Sequence, residues 1–198
     1  MVLISITMII MAAVFCVSPY VIKQLEKKQE KWIVALMMLA FFVIKIILAG
    51  AYFGHSTDVN CFWGWSQMLA ETGIGDFYTS DAFTDYPPGY MYILSLIGML
   101  KKVFDVGDVT YLIMLKLPAI ICDMVIGYLI YKIASKKFSK NGAFFLSALY
   151  VMNPAVIINS SLWGQVDSIH TLGIIIVFLL LCDKKLIQSF FVFAVCIF

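Results

Sequence analysis

Residues 85–100 read Asp-Tyr-Pro-Pro-Gly-Tyr-Met-Tyr-Ile-Leu-Ser-Leu-Ile-Gly-Met-Leu, and whether this run crosses a membrane decides the topology of the whole chain. From Gly89 to Leu100 it is apolar apart from Ser95. It is only about a dozen residues long, against the ~20 a helix needs to cross ~30 Å of hydrocarbon. Pro87 and Pro88 exclude helix before them and start a short one at a defined angle. We therefore read this segment as an interfacial helix lying on the membrane.

Longer apolar runs flank it at residues 1–22, 32–53, 111–131, 142–159 and 168–182, and a further one begins near Leu186. Of the 198 residues, 63% are hydrophobic and 13% charged, against about 25% charged in a soluble domain, which excludes a soluble globular protein. A net charge of +2 without charged tails gives no support to disorder or nucleic-acid binding. All fourteen basic residues are lysine, so a phosphate or carboxylate would meet point charges rather than bidentate arginine.

Lysines cluster at Lys23, Lys27, Lys28 and Lys31, at Lys132, Lys136, Lys137 and Lys140, and at Lys184 and Lys185. Cytoplasmic loops are enriched in lysine, and placing all three clusters inside puts residues 54–110 and 160–167 outside. Most acids then lie outside: Asp58, Glu71, Asp76, Asp81, Asp85, Asp105, Asp108 and Asp167, opposed there by Lys101 and Lys102. The expected fold is an all-α polytopic bundle whose large outer loop, 54–110, carries juxtamembrane helices. Residues 1–31 form an anchor span and cytoplasmic loop, 32–185 one module, and 186–198 the start of a further span. The first run lacks a charged leader and an A-x-A-like cleavage site, so it reads as an anchor.

Within the outer loop, Val59–Thr72 predicts an amphipathic helix with Asn60, Gly64, Gln67 and Glu71 on one stripe, closed by Gly73. Asp58 stands directly before it, as an N-cap, as a catalytic carboxylate, or as both. Asp85 and Tyr86 occupy the rigid proline turn, which suits either a binding wall or a headgroup-level turn. Residues 159–168, Asn-Ser-Ser-Leu-Trp-Gly-Gln-Val-Asp-Ser, are a dense polar run between two spans. Trp163, Gln165 and Asp167 there suit sugar stacking and hydroxyl recognition, although short outer loops are polar in any case. Asn153-Pro154 predicts a kink in the preceding span.

Asp167 and His170 share a helical face but fall short of a metal ligand set, and five scattered cysteines give neither a disulfide framework nor a zinc motif. Lys45, Lys116 and Asp123 lie inside spans, where ionisable residues are costly and are functional or paired. Lys116 either contacts a lipid phosphate or snorkels outward, and Lys45 pairs with Asp123 if their helices adjoin.

The order of DYPPGYMY, KLPAIICD and NPAVIINSSLWGQVDS after an outer aspartate resembles integral-membrane glycosyltransferases of the GT-C superfamily, specifically bacterial relatives of the GPI-anchor mannosyltransferases. The resemblance runs from about residue 32 to 182. It implies transfer of a sugar, mannose by family analogy, from a polyprenyl-phosphate donor to a glycan, lipid or protein acceptor at the outer face of a bacterial plasma membrane. Transfer would invert the anomeric centre and need no metal or cofactor, the lipid-linked sugar being a substrate. Asp58 takes the position of the family's catalytic base. Asp85, Tyr86, Trp163, Gln165 and Asp167 would shape the substrate pocket, and Lys116 would neutralise the leaving phosphate. Asp58 is followed by Val59 where protein O-mannosyltransferases carry a second acid. Family members are longer, so residues 1–198 alone are expected to be inactive. The competing reading is a transporter or lipid-handling protein whose path is lined by Lys45, Lys116 and Asp123.

Overall fold

The computed structural model describes residues 30–79 and 83–197, and every regular element among them is helical. The apolar run 1–22, the lysines at 23–28, Cys16 and Asp81 lie outside the described residues. Long leucine-, isoleucine- and valine-rich stretches form α1 (Glu30–Ala51) and α5 (Asp108–Ala134), the two described helices long and apolar enough to cross a membrane. Helix α6 (Lys140–Val151) begins at Ser139, whose hydroxyl accepts the Gly142 N–H at 3.2 Å, satisfying one of the helix's orphan donors. It continues after a break as α7 (Pro154–Ile157) and a π-helical turn, Ile158–Trp163. The two halves are bent by 47° and count as a third crossing element if taken as one. The expected kink is therefore present. Pro154 cannot donate back into α6, and the Asn153 side chain starts the new helix by accepting the Ala155 N–H at 2.9 Å. Helices α8 (Asp167–Cys182) and α9 (Leu186–Ile197) are apolar but shorter.

Large apolar side chains stand exposed along one face of α1, at Trp32, Leu36, Leu39, Val43 and Ile47. A stripe of this length suits hydrocarbon better than water. Opposite it, α1 packs on α5, and the side chains of Lys45 and Asp123 meet there at 2.7 Å, both wholly buried.

Between α1 and α5 lie α2 (Ser56–Thr72), α3 (Ile74–Phe77) and α4 (Pro88–Phe104). Asn60, Gly64, Gln67 and Glu71 form the exposed stripe of α2 that their spacing predicts, and Gly73 closes the helix, its N–H reaching the Leu69 carbonyl. The apolar face does not rest on lipid: Phe62, Trp65 and Leu69 pack against Tyr90, Met91, Leu94 and Ile97 of α4. That contact is close because residue 98 is glycine; a Cβ there would come within 1.9 Å of the Ser66 carbonyl oxygen. Helix α4 presents Tyr92, Leu96, Met99 and Val103 on its exposed side. It falls outside the described helices that meet the length and apolarity of a span.

Candidate active site

Helix α2 starts at Ser56, three residues before its predicted beginning, and this changes the role of Asp58. The N-cap position belongs to His55, which makes no side-chain cap, and Asp58 lies within the first turn. Its carboxylate gathers two side-chain donors on one oxygen, with an imidazole nitrogen beside them. Trp163 Nε1 donates to Oδ2 at 2.7 Å and Gln165 Nε2 at 2.8 Å, while His55 Nδ1 lies 3.0 Å from the same atom. The N-cap expectation for Asp58 is thus replaced by a hydrogen-bonded, partly exposed carboxylate, 27% accessible.

Two backbone features bring these residues together. Gly54 adopts φ +110, and a Cβ there would sit 2.4 Å from the Trp163 carbonyl oxygen. Glycine lets the chain turn out of α1 so that the His55 N–H donates to that same carbonyl at 3.0 Å. On the other side, the polar run 159–168 is an ordered π-turn rather than an open loop, ending at Gly164 with φ +96. The Gly164 and Gln165 N–H groups both return to the Asn159 carbonyl at 3.0 Å. The extra residue in the turn swings Trp163 and Gln165 towards α2, a re-aiming for which π-bulges are known.

Tyr86 joins the same network. Its hydroxyl donates to Gln165 Oε1 at 3.3 Å, so the proline turn is linked through Gln165 to Asp58. Phe62, Trp65 and Tyr90 enclose the ring. The turn is held by Trp65 Nε1 donating to the Phe83 carbonyl and Tyr78 donating to that of Tyr86. Burial pushes the Tyr86 phenol up to about 12, with the charges of Asp167, Asp58 and Asp85 adding to it. It therefore remains a proton donor at physiological pH. Burial, with Asp85 and Asp58 nearby, also raises the Cys61 thiol, which argues against a thiolate nucleophile there.

Asp167 accepts from Asn159 Nδ2 at 3.0 Å and Asp85 is exposed, and both acids sit close enough for Tyr86 to feel their charge. Lys116 lies buried beneath the site. Its ammonium neither snorkels outward nor faces the acids: it is 2% exposed and donates among four carbonyl oxygens. These are Ala49 at 3.2 Å, Tyr52 at 2.6 Å, Ser161 at 3.1 Å and Leu162 at 3.4 Å. It fastens the end of α1 to the π-turn from beneath, with Cε 3.3 Å from where a Cβ on Gly164 would lie. A side chain so engaged ties α1 to the π-turn beneath the site.

Two contributors escaped the sequence reading, His55 and Asn159. The i, i+3 spacing of His55 and Asp58 in one helical turn is the signal that could have found the first. Among the described residues no group of three His, Cys, Asp or Glu side chains gathers to hold a metal ion. Compared with family models, with curated proteins and with solved structures, the chain matches none.

Proposed function

We propose that this chain is an integral-membrane glycosyltransferase of GT-C type, multi-pass, with its active site on the outer face of a bacterial plasma membrane. It would transfer a sugar, mannose by analogy, with inversion, from a polyprenyl-phosphate donor to an acceptor hydroxyl on a glycan, lipid or protein. The observation that carries this reading is the convergence on Asp58 of two other segments far from it in the chain. Trp163 and Gln165 from NSSLWGQVDS bond its carboxylate, and Tyr86 from DYPPGY reaches it through Gln165. These are the segments on which the resemblance rests.

The chemistry suits them. A carboxylate-based site accepts the acceptor's proton, a contribution of roughly 10²- to 10⁴-fold. An exposed indole, amide and acids around it can stack on and hydrogen-bond a sugar. Beside the site, Pro87, Tyr90, Ile93, Val166, Ile169 and Gly173 border an apolar cavity of about 330 Å³, which suits part of a lipid chain. The second reading, a transporter, draws on the broken α6–α7 element and the buried Lys45–Asp123 pair.

The test is transfer of radiolabelled sugar from polyprenyl-phosphate mannose and glucose by membranes carrying the intact gene product. Asp58→Asn is expected to lose at least 10²-fold of transfer while inserting normally. Undiminished transfer would move the chemistry away from Asp58, and no transfer by the wild type would favour the transporter.

A further inference from the structure

The apolar cavity beside the site is bordered by one hydroxyl that the protein leaves unsatisfied. Tyr90 lines it from α4, together with Pro87 of the proline turn, Cys122 of α5 and Val166 at the head of α8. Tyr90 is 7% exposed, and its hydroxyl, wholly enclosed, has no hydrogen-bond partner among the described residues. Burying a hydroxyl without a partner is costly, and native structures keep few such groups. The ring is also fixed: it meets Phe62 edge-on with centroids 5.4 Å apart and lies beside Tyr86 at 6.0 Å. Burial pushes the phenol up, with Tyr86 and Cys122 close enough to add to the effect, so the hydroxyl keeps a hydrogen to donate. Cys122 borders the same cavity, which puts the hydroxyl on the cavity side of the ring. Phenylalanine would fill this aromatic cluster without the cost, so the hydroxyl calls for an acceptor that arrives with a ligand.

The cavity restricts what that ligand can be. Among the described residues no charged side chain borders it, and apart from Tyr90 its polar groups are the His170 ring and the Cys122 and Cys196 thiols. Its volume of about 330 Å³ lies in the range of small-ligand pockets, about 300–1,000 Å³. The lining follows α8 from Val166 to Ile176, about 15 Å at 1.5 Å per residue. A slot so long and apolar fits one hydrocarbon chain, and its Pro87 and Val166 end adjoins Tyr86 and Gln165 of the site. We infer that the cavity binds a single hydrocarbon chain of a lipid substrate, with Tyr90 donating its hydroxyl hydrogen to the oxygen that joins the chain to its head group. The inference rests on the sugar-transfer reading for the lipid's role as substrate. Two lipids of that reaction share the required chemistry, the polyprenyl phosphate of the donor and an acylated acceptor. In either case Tyr90 sets how far the chain enters, and so where its head group stands relative to Asp58.

The test is the thermal midpoint of the detergent-solubilised intact gene product, titrated with polyprenyl phosphate, with a diacyl phosphatidate, and with the hydrocarbon of the polyprenyl chain without its oxygen. A lipid that binds the folded state raises the midpoint. At least one of the two phosphorylated lipids is expected to do so, and the one that acts at the lower concentration names the source, polyprenyl phosphate the donor and phosphatidate a lipid acceptor. The hydrocarbon should need about 3- to 10-fold more for the same rise, the worth of one hydrogen bond. Tyr90→Phe should need the same excess of lipid, while its midpoint without lipid equals or exceeds that of wild type, because the substitution removes a hydroxyl that has no partner. An unchanged lipid response in Tyr90→Phe, or a lower midpoint without lipid, would each overturn the inference, the second by showing the hydroxyl satisfied within the protein. Wild type alone also decides: no rise with either lipid, or an equal rise with the hydrocarbon, would overturn it without any variant having to fold. Ile169→Trp fills the cavity and should abolish the response, and a response that persists would place the lipid elsewhere. None of these readings uses sugar transfer. Transfer without a lipid response would overturn this inference alone, whereas a lipid response without transfer would overturn the sugar-transfer reading and leave the cavity a lipid site.

Discussion

Tyr86 and Lys116 show how far apart two polar side chains of one site can be in role. The Tyr86 phenol, held near 12 by burial, donates to Gln165 Oε1 and so keeps that amide turned with its N–H towards Asp58. A neutral hydrogen bond of this kind contributes about 0.5–1.5 kcal/mol. Tyr86→Phe is therefore expected to slow transfer roughly 3- to 10-fold. The sign with pH follows from the raised value: the phenol stays protonated until the pH nears 12, so the ratio of wild-type to variant rates should be flat from pH 5 to 10. A ratio that changes within this range would show that the phenol titrates during turnover.

Lys116 acts through carbonyls. Removing its ammonium in Lys116→Met takes a donor from four carbonyls, three of them in buried contacts, at a cost of about 1–3 kcal/mol for each buried group left without a partner. The expected result is a lower Tm of the detergent-solubilised protein and a loss of transfer that follows the loss of fold. Unchanged stability with only a raised KM for the lipid-linked donor would return Lys116 to the phosphate.

Among the elements, the α2–α4 pair is the one on which the outer segment depends. Phe62, Trp65 and Leu69 meet Tyr90, Met91, Leu94 and Ile97, and Gly98 sets the distance against the Ser66 carbonyl. The obstruction a Cβ would meet is backbone, so it cannot rotate away. Gly98→Ala should cost about 1–3 kcal/mol, read as a lower midpoint in thermal unfolding, with transfer reduced because Tyr86 lies in the turn that leads into α4. A midpoint equal to that of wild type would mean that the two helices separate without consequence. The α6–α7 element was readable as a kink from Asn153-Pro154. That a π-turn follows it was not, because the turn also takes ammonium contacts from Lys45 of α1 and Lys116 of α5, which its own residues do not specify.

For the whole molecule, the lysine clusters and the fate of residues 88–104 decide orientation together. Helix α4 lies against α2 through one face and leaves Tyr92, Leu96, Met99 and Val103 exposed on the other, as a helix resting at an interface would. Single cysteines placed at Gln67 and Lys137, in a background without the native thiols, should react with a membrane-impermeant maleimide from opposite sides of the membrane. Labelling of both from one side would require α4 to cross and would relocate the site. Buried between α1 and α5, Lys45 and Asp123 bind at 2.7 Å, with Ser160 at 3.2 Å and Ser168 at 2.5 Å completing the group. Removing one partner of such a pair is strongly destabilising, by about 3–5 kcal/mol. The pair therefore links the π-turn, through Ser160, and the start of α8, through Ser168, to the two long helices beneath the site.

The primary structure alone determined the helical class, the positions of the long apolar helices, the exposed stripe of α2 and the break at Pro154. Each of these follows from local rules of hydrophobic period, length and backbone restriction that act within one segment. It also marked Asp58, Asp85, Tyr86, Trp163, Gln165 and Asp167 as a polar set at the ends of apolar runs. Only the tertiary structure decided that Asp58 faces His55, Trp163 and Gln165 instead of capping its helix, that the polar run 159–168 is a π-turn, and that Lys116 serves carbonyls. The bonds of Asp58 to Trp163 and Gln165, and of Lys116 to its carbonyls, join atoms 45 to 107 residues apart in the chain. A carboxylate or an ammonium takes whichever partners the packed helices bring within hydrogen-bonding distance, and no segment's own pattern specifies them.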